Sequence, residues 1–345
     1  MINNNISINV SDDILQYNRI SSTKRRCIAK GILTNNSNNV RNRDEIVLKC
    51  NRDINILDKE LAAIKRLYIS CDAKNSFVIK LRYNSIVTLN NNDDDIWHAL
   101  ILDKGAIDIH LLGTLISQKH DTIQQYGINL FQWKLQVALK LITIINHIHD
   151  NGLCWYDVKP SNFILFLPDD IKLTGKRKEI NSSKLYHYLN EKCHICAIDV
   201  GGVQENGTVI DINMIQITTK FTCPEIAYLL YNKSHNKVLV DQSTDLWSLG
   251  MTLFQLFRYD FQPMLQLSTN THANDVLKYL ALEKNSLEME ISLNTSKEFF
   301  IFDDNKNISD DNKEEVLSII RSLLVINPSD RCPLVQVSKR IKNIL

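Results

Sequence analysis

Leu153-Cys-Trp-Tyr-Asp-Val-Lys-Pro-Ser-Asn-Phe-Ile-Leu165 is the stretch on which the reading of this chain turns. Asp157, Lys159 and Asn162 stand two and three residues apart inside an otherwise apolar run. A carboxylate can accept a hydroxyl proton, an ammonium can neutralise a moving phosphate, and an amide oxygen can hold a metal ion. A polar loop following a helix would look the same, so the remaining chain has to supply partners.

Working outward, Leu130–Asp150 carries apolar residues at Phe131, Leu135, Ala138, Leu141, Ile142, Ile145 and Ile148, which predicts a helix stopped by Asn151-Gly152. Short apolar runs at Leu153–Tyr156 and Phe163–Leu167 flank the polar trio, placing it on a loop between a helix and a strand. Upstream, β-prone runs cover Cys27–Leu33, Glu45–Cys50, Phe77–Leu81 and Ile96–Leu102. Between the second and third, Ile54, Leu57, Leu61, Ile64 and Leu67 recur at helical steps, which predicts an amphipathic helix over Ile54–Ile69. Residues 1–16 are Asn-rich and polar and read as a flexible lead-in. Asn35–Asn39, Asn90–Asp95 and the Lys-rich residues 168–192 read as solvated insertions. Downstream, Cys196–Val200 reads as a strand, and Glu225–Tyr231, Ser243–Phe257, Asn274–Leu282 and Glu314–Val325 as helices.

The totals narrow the function classes. Lys plus Arg (40) balances Asp plus Glu (39), so no net field points to nucleic acid or an anionic membrane. No apolar run is long enough for a membrane span, and the start lacks the pattern of a signal peptide. Eight cysteines, scattered apart from Cys193-His-Ile-Cys196, suit a reducing compartment. That pair has no second pair to complete a zinc site and reads as core. The expected location is intracellular, cytoplasmic or nuclear.

Further charged groups fall into an ordered series. Lys49 ends the run Ile46-Val-Leu-Lys, Glu60 follows on the amphipathic helix, and Asp199 opens Asp-Val-Gly-Gly202. Two glycines there permit a sharp turn and leave room for a ligand beside the carboxylate. Cys223-Pro-Glu225, Asp245-Leu-Trp-Ser-Leu-Gly250 and Asn327-Pro-Ser-Asp-Arg331 complete the series.

In this order the motifs resemble the eukaryotic-type protein kinase superfamily, over about residues 17–345. The resemblance implies an α+β fold of two lobes: a small antiparallel sheet with one helix over 17–103, and a larger mainly helical lobe over 104–345. It implies ATP and Mg²⁺, with Mn²⁺ as a substitute, and a protein substrate bearing serine or threonine. Lys49 matches the lysine that meets the α/β-phosphates and Glu60 the glutamate that pairs with it. Asp157 matches the catalytic base, Lys159 the cation beside the γ-phosphate, and Asn162 and Asp199 the metal ligands. Leu102 matches the residue guarding the adenine pocket, with Asp103-Lys104-Gly105 as the hinge. Glu225 would pair with Arg331, and Asp245 would anchor the catalytic loop. Lys159 and Thr218 resemble the serine/threonine branch.

Departures from the family are equally specific. Ile20-Ser-Ser-Thr-Lys-Arg-Arg26 stands where a glycine-rich loop belongs, so Lys24, Arg25 or Arg26 is expected to supply charge in place of backbone amides. Trp155-Tyr156 replaces a histidine and an arginine, and loss of that arginine removes the usual receiver of an activation-segment phosphate. Activity independent of phosphorylation at Thr218, Thr219 or Thr222 follows as an expectation. Bulky Trp155 and small Val200 would conserve summed volume in a stack that includes Ile64. The interval from Lys49 to Glu60 is short, so either the helix starts almost at the strand or Glu60 falls short of Lys49. An inactive, partner-binding pseudokinase is the competing reading; a small-molecule kinase is a third, opposed by Lys159, Pro224-Glu225 and Arg331.

Overall fold

The computed structural model describes residues 6–10, 13–22, 26–35, 42–69, 76–88, 96–118, 130–167, 194–232, 236–258, 260–265, 272–296 and 308–345. The chain divides into two compact units, Met1–Gly105 with Ile198–Gly201, and Ala106–Ala197 with Gly202–Leu345. Ile198–Gly201, which carries Asp199, thus belongs with the first unit rather than with one unbroken region from 104 onward.

The first unit is an antiparallel sheet with one helix. Its strands are β1 (Ile6–Val10), β2 (Asp13–Ser22), β3 (Arg26–Asn35), β4 (Asn42–Asn51), β5 (Leu81–Thr88) and β6 (Ile96–Asp103). They lie in the order β1-β2-β3-β4-β6-β5. Two expectations are corrected here. The supposed flexible lead-in over 1–16 contains β1 and the start of β2, paired from Ile6↔Tyr17 to Val10↔Asp13. The alternation Ile6-Ser-Ile-Asn-Val10 is the strand signal that the asparagines obscured. The strand expected over Phe77–Leu81 begins only at Leu81; ahead of it Val78 makes an isolated β-bridge, and Val78 and Ile79 are both buried.

In β4, Ile46, Leu48 and Cys50 are buried on one face, which leaves Val47 and Lys49 on the other, as the two-residue period of a strand requires. Helix α1 spans Ile54–Ile69. Its start follows β4 at once: Asp53 accepts from the Asn55 amide (3.0 Å) while its own amide donates to Asn51 Oδ1 (2.9 Å). The buried stripe is Leu57, Glu60, Ile64 and Leu67, with Ala63 beside it. Ile54 is exposed, so the stripe is rotated from the one apolar periodicity suggests, and Glu60 lies within it.

The second unit is mostly helical. Beta strands β7 (Ile107–Asp108), β9 (Phe163–Phe166) and β10 (His194–Ala197) form a sheet in the order β10-β9-β7. Two ribbons pair β8 (Leu153–Cys154) with β11 (Gln204–Glu205), and β12 (Val209–Asp211) with β13 (Lys237–Leu239). The helices are α2 (Ile109–Gln118), α3 (Leu130–Asp150), α4 (Pro224–Asn232), α5 (Ser243–Phe257), α6 (Ala273–Leu282), α7 (Lys284–Asn294), α8 (Asp310–Leu323) and α9 (Leu334–Ile344).

Helix α5 is the core of this unit, buried on nearly every side from Thr244 to Phe257. Phe254 and Phe257 each contribute about 1.5–3 kcal/mol by leaving water. The buried Lys134 amine donates to the Phe257 and Arg258 carbonyls (3.4 Å each), a cation on the negative end of α5. Helix α3 ends as its sequence requires: the Gly152 amide donates to the His149 carbonyl (2.8 Å), with Gly152 at φ 70°. That turn delivers the chain straight into the Leu153–Leu165 stretch.

Candidate active site

Within the first unit, the Lys49 amine lies 2.6 Å from Glu60 Oε2 and 2.6 Å from Asp199 Oδ1. The short interval therefore works because α1 begins directly after β4. Burial pulls the Lys49 pKa down, but the charges of Glu60 and Asp199 and their hydrogen bonds outweigh it, and the net direction is up. The amine is held in its charged form between the two carboxylates. Asp58, the nearby alternative to Glu60, is exposed.

Asp199 itself adopts φ 59°, a left-handed conformation that a short polar side chain tolerates better than most. The sharp turn is thus made by the carboxylate residue and not by the glycines after it. Their space is also already filled by protein. A Cβ on Gly201 would meet Glu60 Cβ at 3.1 Å, and one on Gly202 would meet Gln216 Cβ at 3.0 Å. The expectation that these glycines leave room for a ligand is corrected: they admit Glu60 and Gln216.

Within the second unit, the polar trio of the opening stretch converges on Asp157. Lys159 Nζ donates to Asp157 Oδ2 (2.7 Å), and Asn162 Nδ2 donates to the Asp157 carbonyl (2.8 Å) and to Oδ2 (2.9 Å). Thr218 Oγ1 donates to Asp157 Oδ1 (2.7 Å) and accepts from Lys159 Nζ (2.6 Å). A carboxylate, an ammonium and an aliphatic hydroxyl thus close a triangle. Pro160–Asn162 forms a single 3-10 turn, whose Pro160 sets φ and brings Asn162 back over Asp157.

The loop is held from beneath by α5. Buried Asp245 accepts from the amides of Trp155 and Tyr156 (2.7 Å each) and lies 2.9 Å from His149 Nε2. Tyr156 sits at φ 65°, so two consecutive amides turn toward one carboxylate. Trp155 packs edge-on against Phe163, ring centroids 5.3 Å apart. Sequence reasoning named Asp245 but missed His149, whose signal is its place in the last turn of α3.

Below the loop, Arg331 is fully buried and grips both oxygens of Glu225 (2.6 and 2.8 Å). It also donates to the carbonyls of Ser243 (2.8 Å) and Val325 (2.9 Å) and lies over the Trp247 ring. Buried thiols neighbour these anchors, and burial pushes the pKa of Cys154 and Cys223 well up, so both remain protonated.

Leu102, the expected guard of an adenine pocket, is buried in β6 between Val47 and Leu81. Asp103 pairs with Arg82, and its amide donates to the Lys80 carbonyl (3.0 Å). Gly105 is the last residue of the first unit at that boundary. Lys24 and Arg25, Cys193 and the insertion 168–192 lie outside the described residues, as does the side chain of Arg26. Among the described residues no helix is long and apolar enough to cross a membrane.

Comparison with known proteins bears on the whole arrangement. The family model for the protein kinase domain matches residues 78–340, well over half of the chain, and begins after Lys49 and Glu60. Extracellular signal-regulated kinase 7 of Drosophila melanogaster is 23% identical over 231 residues, which cover 62% of this chain but only 22% of that protein. An antiparallel sheet with its single helix, a mostly helical second unit and the matched motifs agree with that family. The chain belongs to the protein kinase domain family.

Proposed function

We propose that the chain is an ATP- and Mg²⁺-dependent protein kinase that phosphorylates serine and threonine. The observation that carries this reading is the Thr218 hydroxyl seated between Asp157 Oδ1 and Lys159 Nζ. A carboxylate that accepts one aliphatic hydroxyl offers the same hydrogen bond to a substrate hydroxyl.

The residues suit a hard cation. Asn162 spends its amide nitrogen on Asp157, which turns its oxygen away as a donor, and Asp199 adds a carboxylate. These two would hold Mg²⁺, which would neutralise phosphate charge when bound. Lys49, kept charged by Glu60, would meet phosphate oxygens, with Leu102, Asp103 and Gly105 beside the adenine. Asp157 orients the substrate hydroxyl and takes its proton as the oxygen–phosphorus bond forms and ADP leaves. Lys159 offsets charge on the transferring group. Such catalysis is mainly positioning and electrostatics. The free thiols of Cys154, Cys223 and Cys332 suit an intracellular place, cytoplasmic or nuclear.

The test is incorporation of labelled γ-phosphate into a generic basic protein, with wild type against Asp199→Ala. Wild type is expected to incorporate label, and Asp199→Ala to lose about 100-fold or more. Equal background signals from both would reject the enzyme. The absence of glycine from Ile20–Arg26 favours the second reading, a pseudokinase, and Mg²⁺-dependent nucleotide binding measured by thermal shift would then report whether the pocket fills.

A further inference from the structure

The segment from Gly202 to Thr222 is hydrogen-bonded along its length to the second unit. Its β11 pairs with β8 as Gln204↔Cys154 and Glu205↔Leu153, and the Asn206 amide donates to the Gly152 carbonyl (2.9 Å). The chain then reverses at Gly207, φ 79°, and enters the ribbon Val209↔Leu239, Ile210↔Val238, Asp211↔Lys237. Bonds beyond both ends extend this ladder. The Gly207 amide donates to the Val240 carbonyl (2.9 Å), Val240 to Thr208 (2.8 Å), and Ile212 to Asn236 (2.8 Å). Asp211 then caps a short turn by accepting from the Asn213 amide (2.8 Å).

Past that turn Gln216 lies against Gly202, so the chain from 202 to 216 closes on itself. Two residues later comes Thr218, on Asp157 and Lys159. The closing turn is held too: the Phe221 amide donates to the Thr218 carbonyl (2.8 Å), and Ser248 Oγ of α5 donates to the Phe221 carbonyl (2.8 Å). Tyr156 is buried and carries no positive charge to receive a phosphate. Every one of these bonds is made by the chain itself.

We infer that the β12–β13 ribbon is a positioning device that holds Thr218 on Asp157 and Lys159 without any phosphate on the segment. Ile210 and Val238 are its positioning residues. The inference rests on the reading of the chain as a kinase and concerns how its site is kept assembled. Antiparallel pairs alternate between bonded and non-bonded. The Val240-to-Thr208 bond marks 208/240 as a bonded pair, so 210/238 is the next, and the amide of Leu239 points away from β12. Val238 is buried, whereas Val209 and Leu239 are largely exposed.

Proline scanning of phosphatase-treated protein tests this. Val238→Pro and Ile210→Pro each remove a ladder donor, and Leu239→Pro removes none. Amide hydrogen exchange at Phe221 and Thr222 is the primary readout. Protection is expected in dephosphorylated wild type and Leu239→Pro, and is expected to fall at least tenfold in Val238→Pro and Ile210→Pro. In the same two variants the KM for protein substrate is expected to rise at least tenfold while ATP binding is unchanged. Ile210→Pro keeps the buried Val238 side chain, so it reports even where Val238→Pro folds poorly. Loss of protection in wild type on dephosphorylation, or equal protection in all three variants, would overturn the inference. Wild type without turnover but with this exchange pattern would remove the proposed activity and leave the ribbon's role standing.

Discussion

Asp157→Asn is expected to lower kcat by about 10²- to 10⁴-fold, the usual contribution of a positioned general base. That corresponds to about 3–5 kcal/mol of barrier. The fold should survive, because asparagine can keep the contacts that arrange the loop. Its oxygen would face Lys159 and the Asn162 amide, and its nitrogen would donate to Thr218 Oγ1, which now accepts both from it and from Lys159. The binding constant for ATP should change by less than about twofold, since Lys49, the proposed phosphate partner, keeps Glu60 and Asp199. Single-turnover transfer together with nucleotide titration separates the two quantities. A variant with wild-type kcat would remove Asp157 from the role of base, whatever else the site does.

Glu225→Ala is expected to destabilise the protein by about 3–5 kcal/mol, read as a fall in the midpoint of urea unfolding with an unchanged slope. The large effect comes from what is left behind. Arg331 is wholly buried, and without Glu225 its charge has only the Ser243, Val325 and neighbouring carbonyls. Arg331→Met with Glu225→Leu removes both charges and should recover most of the loss, since matched apolar replacements of buried pairs are often nearly neutral. A single variant costing under about 1 kcal/mol would show that water reaches the guanidinium on loss of its partner.

Much of this was legible because some signals are local. The three-and-four spacing over Ile54–Ile69, Leu130–Asp150 and Ser243–Phe257 marks helices with the observed limits. The spacing of Asp157, Lys159 and Asn162 likewise fixes their convergence, because a single proline-led turn joins them. Other features depend on partners distant in sequence. Three-residue strands such as Val209–Asp211 and Lys237–Leu239 carry no period long enough to read, and their register comes from each other. The rotation of α1 that buries Glu60 follows from where β4 presents Lys49, not from the helix's own apolar count. Helix α9 is a different case. Leu334, Val337 and Ile341 follow Pro333 with a helical period, and the signal was there to be read.

The closeness of Gly201 to Glu60 has a mechanical consequence. With 3.1 Å between a notional Cβ and that of Glu60, the helix flank and the backbone beside Asp199 share one volume. A rotation of α1 that withdraws Glu60 from Lys49 also frees the space into which the Asp199 turn would swing. Lys49 engages both carboxylates, so a displacement of either side would strain its bond to the other.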